Sequence, residues 1–115
     1  MAKSVQELIS DRFDVKTTSR DQPENTSIGV ASLLIARSDP NRLALVVINL
    51  SANNVFLRPK QAASVTNGIR INADGGSMSI AMDTDFELST FDWFAIASAA
   101  ASAIYVLETL VAPGE

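Results

Sequence analysis

The side chains able to do chemistry here are carboxylates, because histidine and cysteine are both absent from the 115 residues. That removes the imidazole base, the thiolate nucleophile and sulfur-ligated zinc, so neither a Ser-His nor a Cys-His triad can form within the chain. Asp83, Asp85 and Glu87 alternate, and all three can therefore face one side of an extended strand. A glycosidase needs two carboxylates at a set separation across a cleft, which neighbouring positions on one strand do not supply. Asp83-Thr84-Asp85, with Asp74 or Asp92 folded nearby, offers oxygen ligands to calcium, but it lacks the glycine and closing glutamate of an EF-hand loop. A solvated strand face and turn chemistry account for these residues. No catalytic residue, metal ligand or cofactor site is assigned, and the expected class is non-enzymatic.

Arg12, Lys16 and Arg20 recur at four-residue spacing, a pattern that can touch phosphate. Interleaved with Asp11, Asp14 and Asp21 they make a weak footprint, so a solvated arm and no nucleic-acid partner are expected. Phe86, Phe91, Trp93 and Phe94 cluster in sequence and suit a core. Alternation puts Trp93 and Phe94 on opposite faces of a strand, and the outward one can anchor a subunit interface, with Trp93 the candidate.

Ser4 followed by Glu7 is a capping box, and Val5, Leu8, Ile9 and Phe13 then fall on one helical face. A helix of about ten residues is marginal alone, so this stripe packs either on its own domain or on a neighbouring subunit. Asp14 to Ser27 is polar and reads as a linker or extended arm. Strand signals follow from Ile28 onward. Ile28 to Arg37 is one candidate, closed by the turn Ser38-Asp39-Pro40-Asn41. Arg42 to Pro59 reads as a hairpin, two strand-like runs joined by the turn formers Ser51 to Asn54. Its first run has almost no polar face, so cover is expected on both sides, from the opposing sheet and from the arm or a second subunit.

Short candidates at Ile69 to Asn72, Met78 to Met82 and Phe86 to Thr90 are separated by Ala73-Asp74-Gly75-Gly76-Ser77 and Asp83-Thr84-Asp85. The alanines between Phe91 and Val111 favour helix, but a helix there would lack a polar face, so Trp93 to Ala97 and Ala103 to Leu110 read as two antiparallel strands. The rhythm predicts an all-β, jelly-roll-like β-sandwich of about eight strands. Residues 1–27 form an N-terminal helix and arm, and residues 28–115 the sandwich.

An apolar fraction of 47% and a charged fraction of 19% suit one globular domain. Charge is uneven: all nine basic residues lie at or before Arg70, whereas seven of the thirteen acidic ones lie after it. Such a division can orient subunits or dock the chain on a charged partner, unless folding interleaves the halves. The N-terminal sequence lacks the apolar core of a secretory signal, and the apolar stretch Trp93 to Leu107 falls short of the roughly 20 residues that span a bilayer. The expectation is a soluble protein made in a cytoplasm, without a membrane partner.

The order of features also resembles a known family. Asn41-Arg42 leading into LALVVINLSANNVFL, then Gly68, then Asp74-Gly75-Gly76-Ser77, Trp93-Phe94-Ala95-Ile96-Ala97 and Ile104-Tyr105-Val106-Leu107-Glu108 are similar to small tailed-phage virion proteins of the capsid decoration, or cement, type. The segment between Ser98 and Ser102 departs from the pattern, lacking the glycine expected there. The resemblance implies a jelly-roll-like domain, often a homotrimer, that sits on the major capsid protein in the virion of a bacteriophage. The expected function is a structural virion protein that oligomerises and stabilises a capsid, with Val5, Leu8, Ile9, Phe13 and Trp93 as candidate interface residues. The alternative is a carbohydrate-binding module of a fibre or receptor-binding protein.

Overall fold

The structure, a computed structural model, describes residues 4, 5, 7, 8, 16–22 and 24–112, with the side chains of 83 and 84 left aside. Among the described residues nine strands follow in chain order: β1 (Thr17–Asp21), β2 (Ser27–Ile28), β3 (Leu33–Ala36), β4 (Arg42–Asn49), β5 (Val55–Pro59), β6 (Ile69–Ile71), β7 (Ser77–Ala81), β8 (Trp93–Ala97) and β9 (Ser102–Val111). One sheet runs β1-β9-β4-β7, with β2 also on β9, and the other runs β3-β8-β5-β6. Every pairing is antiparallel. The chain is thus an all-β sandwich, as its turn rhythm predicts.

The pairs nest. β5 pairs with β6, β4 with β7, β3 with β8, and β1 and β2 with β9. This is one long antiparallel ribbon, folded at the β5–β6 turn and rolled up, which is the winding of a jelly roll.

That winding corrects the reading of Arg42 to Pro59 as a hairpin. β4 and β5 lie in different sheets, and Ser51 to Asn54 carry the chain across the sandwich. Four turn formers suit a hairpin loop and a sheet-to-sheet crossing equally well. The hairpin forms one step later, with Val55 opposite Ile71, Phe56 opposite Arg70 and Leu57 opposite Ile69. β8 and β9 likewise occupy separate sheets and are not each other's partners.

Three other segments differ from expectation. Ile28 to Arg37 is broken into β2 and β3, one on each sheet. Phe86 to Thr90 is a 3-10 turn preceded by the single helical turn Met82–Asp85. Here the Ser89 hydroxyl donates to the Phe86 carbonyl at 3.1 Å and the Thr90 hydroxyl to the Glu87 carbonyl at 2.7 Å. These local bonds offer the backbone an alternative to a ladder. Within the expected arm, Thr17–Asp21 forms the edge strand β1, registered from Thr17 opposite Val111 to Asp21 opposite Leu107.

The capping box forms. Ser4 N donates to Glu7 Oε1 and Glu7 N to Ser4 Oγ, both at 3.2 Å. In the sandwich, period-2 alternation sorts the side chains. Ile28, Ile35, Leu45, Val47, Val55, Leu57, Ile71, Trp93, Ile104 and Val106 form the core. The Trp93 indole donates to the Leu88 carbonyl at 3.2 Å, tying the 3-10 turn to that core. The outward side of β4 is half-buried at Val46 and Ile48, and β1 lies beside β9 rather than over β4. Among the described residues, the expected cover by the arm is therefore not seen.

Candidate functional site

Strand β4 has a polar residue buried at each end, and each organises one end of the sandwich. At its start Arg42 is enclosed, with Nε on Glu108 Oε2 at 2.6 Å. Its other nitrogens donate to the carbonyls of Ser89 at 3.1 Å, Phe91 at 2.8 Å and Arg37. Glu108 is equally enclosed and accepts a second bond from Arg20 Nε at 2.8 Å. That bond, above all, raises the Arg20 guanidinium further above its ordinary range. Two cations on one carboxylate, with every buried side-chain polar atom partnered among the described residues, is a structural plug. Its signal was present in the sequence, since Glu108 falls in phase with Ile104, Val106 and Leu110 on the inward side of β9.

At the other end of β4, Asn49 is fully enclosed. Its Nδ2 donates to the carbonyls of Asn53 at 2.6 Å, Ile71 at 3.2 Å and Asn72 at 3.2 Å. Its Oδ1 accepts from Ser51 N and Ser51 Oγ. The turn after β6 docks on the same spot, Gly75 N donating to the Asn49 carbonyl at 2.8 Å. A Cβ at Gly76 would lie 2.3 Å from the Asn72 carbonyl oxygen, so glycine is required for this close approach.

The carboxylates singled out for chemistry are not aligned on a strand. Asp83, Asp85 and Glu87 sit in consecutive helical turns, where Asp85 Oδ2 accepts from Ala81 N at 2.9 Å. Among the described residues no group of three or more His, Cys, Asp or Glu is placed to hold a metal ion, and no helix is long and apolar enough to cross a membrane.

What the surface offers instead is contact area. On the four-stranded sheet, Phe94 and Ile96 of β8 and Phe56 and Arg58 of β5 point outward, with Phe56 opposite Ile96 and Phe94 opposite Arg58. Arg70 of β6 continues this face beside Phe56. At its rim the Lys60 ammonium sits 4.5 Å from the centre of the Phe91 ring. Among the described residues, the ion pairs use Arg20, Arg37 and Arg42, leaving Arg58, Lys60 and Arg70, with Lys16 elsewhere, without an acidic partner. Met82, Leu88 and above all Phe86, 76% exposed, protrude from the turn segment.

The candidate interface residues separate accordingly. Val5 and Leu8 are exposed, whereas Ile9 and Phe13 lie outside the described residues. Trp93 is a core residue, 1% exposed, because β8 turns its odd-numbered positions inward. Phe94 holds the outward place. No protein-family model matches the chain, and no curated protein is significantly similar to it in sequence.

Proposed function

We propose that the chain is a non-enzymatic structural protein that self-associates and attaches to a larger assembly, a phage capsid being the assembly implied by its resemblance to capsid decoration proteins. One observation carries this reading. The interior is closed at both ends by satisfied polar networks around Arg42 and Asn49, while large apolar side chains are spent on the surface, at Val5, Leu8, Met82 and Phe86. Exposed apolar side chains that cluster, as Met82 and Phe86 do on one turn segment, mark contacts with other macromolecules. Attachment to the major capsid protein, a trimeric state and a place in the virion follow from the resemblance.

Sedimentation velocity across a wide concentration range tests self-association, and a species that stays monomeric at high concentration counts against it. Co-sedimentation with purified capsids tests attachment. Binding on a glycan array without capsid attachment would favour the carbohydrate-binding alternative.

A further inference from the structure

The outer face of the four-stranded sheet and the turn segment after β7 are both apolar and carry opposite charge. The segment Met82 to Thr90, MDTDFELST, has three acidic residues and no basic one. Glu87 is exposed and, among the described residues, in no ion pair, and Phe86 beside it is 76% exposed. Phe86 also has φ 55 and ψ −127. A bulky side chain rarely adopts that backbone, and strain of this kind gathers at functional sites. The sheet face presents Phe56 and Phe94 with Arg58, Arg70 and Lys60, whose charges have no acidic partner among the described residues. Among the described residues, Asp92, whose carbonyl accepts from Lys60 N at 2.9 Å, adjoins this face along β8 and β5, and Arg58, Lys60 and Arg70 outweigh it.

We infer that these are the two halves of one contact: the segment Met82 to Thr90 of one copy seats on the outer face of the four-stranded sheet of the next. Phe86 would lie against Phe56 and Phe94, and Glu87 would meet Arg58 and Arg70. The inference rests on the reading of the chain as self-associating. Because the two surfaces differ, the contact is head-to-tail, and such contacts close into rings or run on as filaments. An aromatic sheet face with arginines also suits the bases of single-stranded nucleic acid. The net charge of −4, and an exposed Glu87 that is in no ion pair among the described residues of the same chain, favour a second copy.

Sedimentation velocity on the full chain, with four variants, decides the matter. Arg58→Glu with Arg70→Glu, and separately Glu87→Lys, should each weaken self-association at least about tenfold, because like charges then face each other. Combining all three changes reverses both surfaces and should restore the wild-type distribution. Phe86→Ser should also dissociate the oligomer while leaving the thermal midpoint of the monomer unlowered, which separates lost contact from lost folding. An oligomer indifferent to every variant overturns this contact but not self-association. A wild-type chain that is monomeric throughout overturns both. Tight binding of a short single-stranded oligonucleotide by a monomer, abolished by Arg58→Glu with Arg70→Glu, assigns the face to nucleic acid and overturns the contact.

Discussion

Arg42 and Glu108 meet inside the sandwich, Nε to Oε2 at 2.6 Å, with neither side chain open to solvent. The pair links β4 to β9 across the central ladder of the larger sheet, and the remaining nitrogens of Arg42 reach the backbone at Arg37, Ser89 and Phe91. A sandwich end is thereby closed by one side chain that binds both the sheet and the segment leading into β8.

Removing one member of this pair should cost far more than removing its exposed neighbour. Glu108→Gln keeps the shape but leaves Arg42 charged and enclosed, a change that costs about 3 to 5 kcal/mol. Arg20, its side chain 51% exposed, contributes as a screened surface partner, so Arg20→Ala should cost about 1 kcal/mol or less. Replacing both buried residues, Arg42→Met with Glu108→Leu, should recover much of the loss because no orphaned charge remains. Urea unfolding reads all three, and a Glu108→Gln variant as stable as Arg20→Ala would show that the pair does not hold this end together.

At the opposite end the decisive atom is Asn49 Nδ2. It donates to three carbonyl oxygens, so Asn49→Asp, nearly the same in volume, turns an oxygen toward acceptors and leaves them unpaired. Each lost bond to a buried group costs about 1 to 3 kcal/mol, and the total should approach unfolding of a marginal domain. Asn49→Ser, which removes the contacts without adding charge, should be milder. If circular dichroism melts rank the two the other way, carbonyl repulsion is not the cause.

Tyr105 supplies an alkaline signature. Partial burial raises its phenol above the ordinary range, and the hydrogen bond it donates to Asp21 Oδ2 at 3.2 Å raises it further. A folded-state value above the unfolded one, about 10, means that the stabilisation is complete below that pH and is lost as pH rises through the folded value. Wild type should therefore lose thermal stability more steeply than Tyr105→Phe as pH rises above about 10. Parallel curves for the two proteins would remove the Asp21 contact as the source.

Most strands were legible as apolar runs between turn formers, but the period-2 burial along β4, β8 and β9 shows only in the fold, since the first run of Arg42 to Pro59 has almost no polar face in sequence. Glu108 could have been placed inward from its phase with Ile104, Val106 and Leu110. The pairing of strands was less legible, for a physical reason. Ser51 to Asn54 and Ser98 to Ala101 are polar or small and satisfy their own backbone locally, so they serve a crossing between sheets as readily as a hairpin. The 3-10 turn at Phe86 to Thr90 was hidden for a related reason, since Ser89 and Thr90 divert bonds that a strand would need. Trp93 and Phe94 were correctly set on opposite faces, but which faces inward depends on the register of β8 against Pro59 and Arg58, which composition does not reveal.

The missing glycine between Ser98 and Ser102 leads to the last prediction. Ala101 occupies φ 60, the left-handed region, at the end of the crossing from β8 to β9. An L-residue there is disfavoured by about 1 to 2 kcal/mol, while glycine adds roughly 0.5 to 1 kcal/mol of unfolded-state entropy. Ala101→Gly should thus stabilise by about 0.5 to 1 kcal/mol, a rise of a few degrees in the thermal midpoint. Ala100→Gly is the control, because Ala100 is not among the residues at positive φ and the substitution should carry only the entropic cost. Differential scanning calorimetry should move the two midpoints in opposite directions. A fall for both would mean that Ala101 bears no strain and that the crossing is held by its bonds, Ser102 Oγ to the Ala99 carbonyl and Ser98 N to the Asn54 carbonyl.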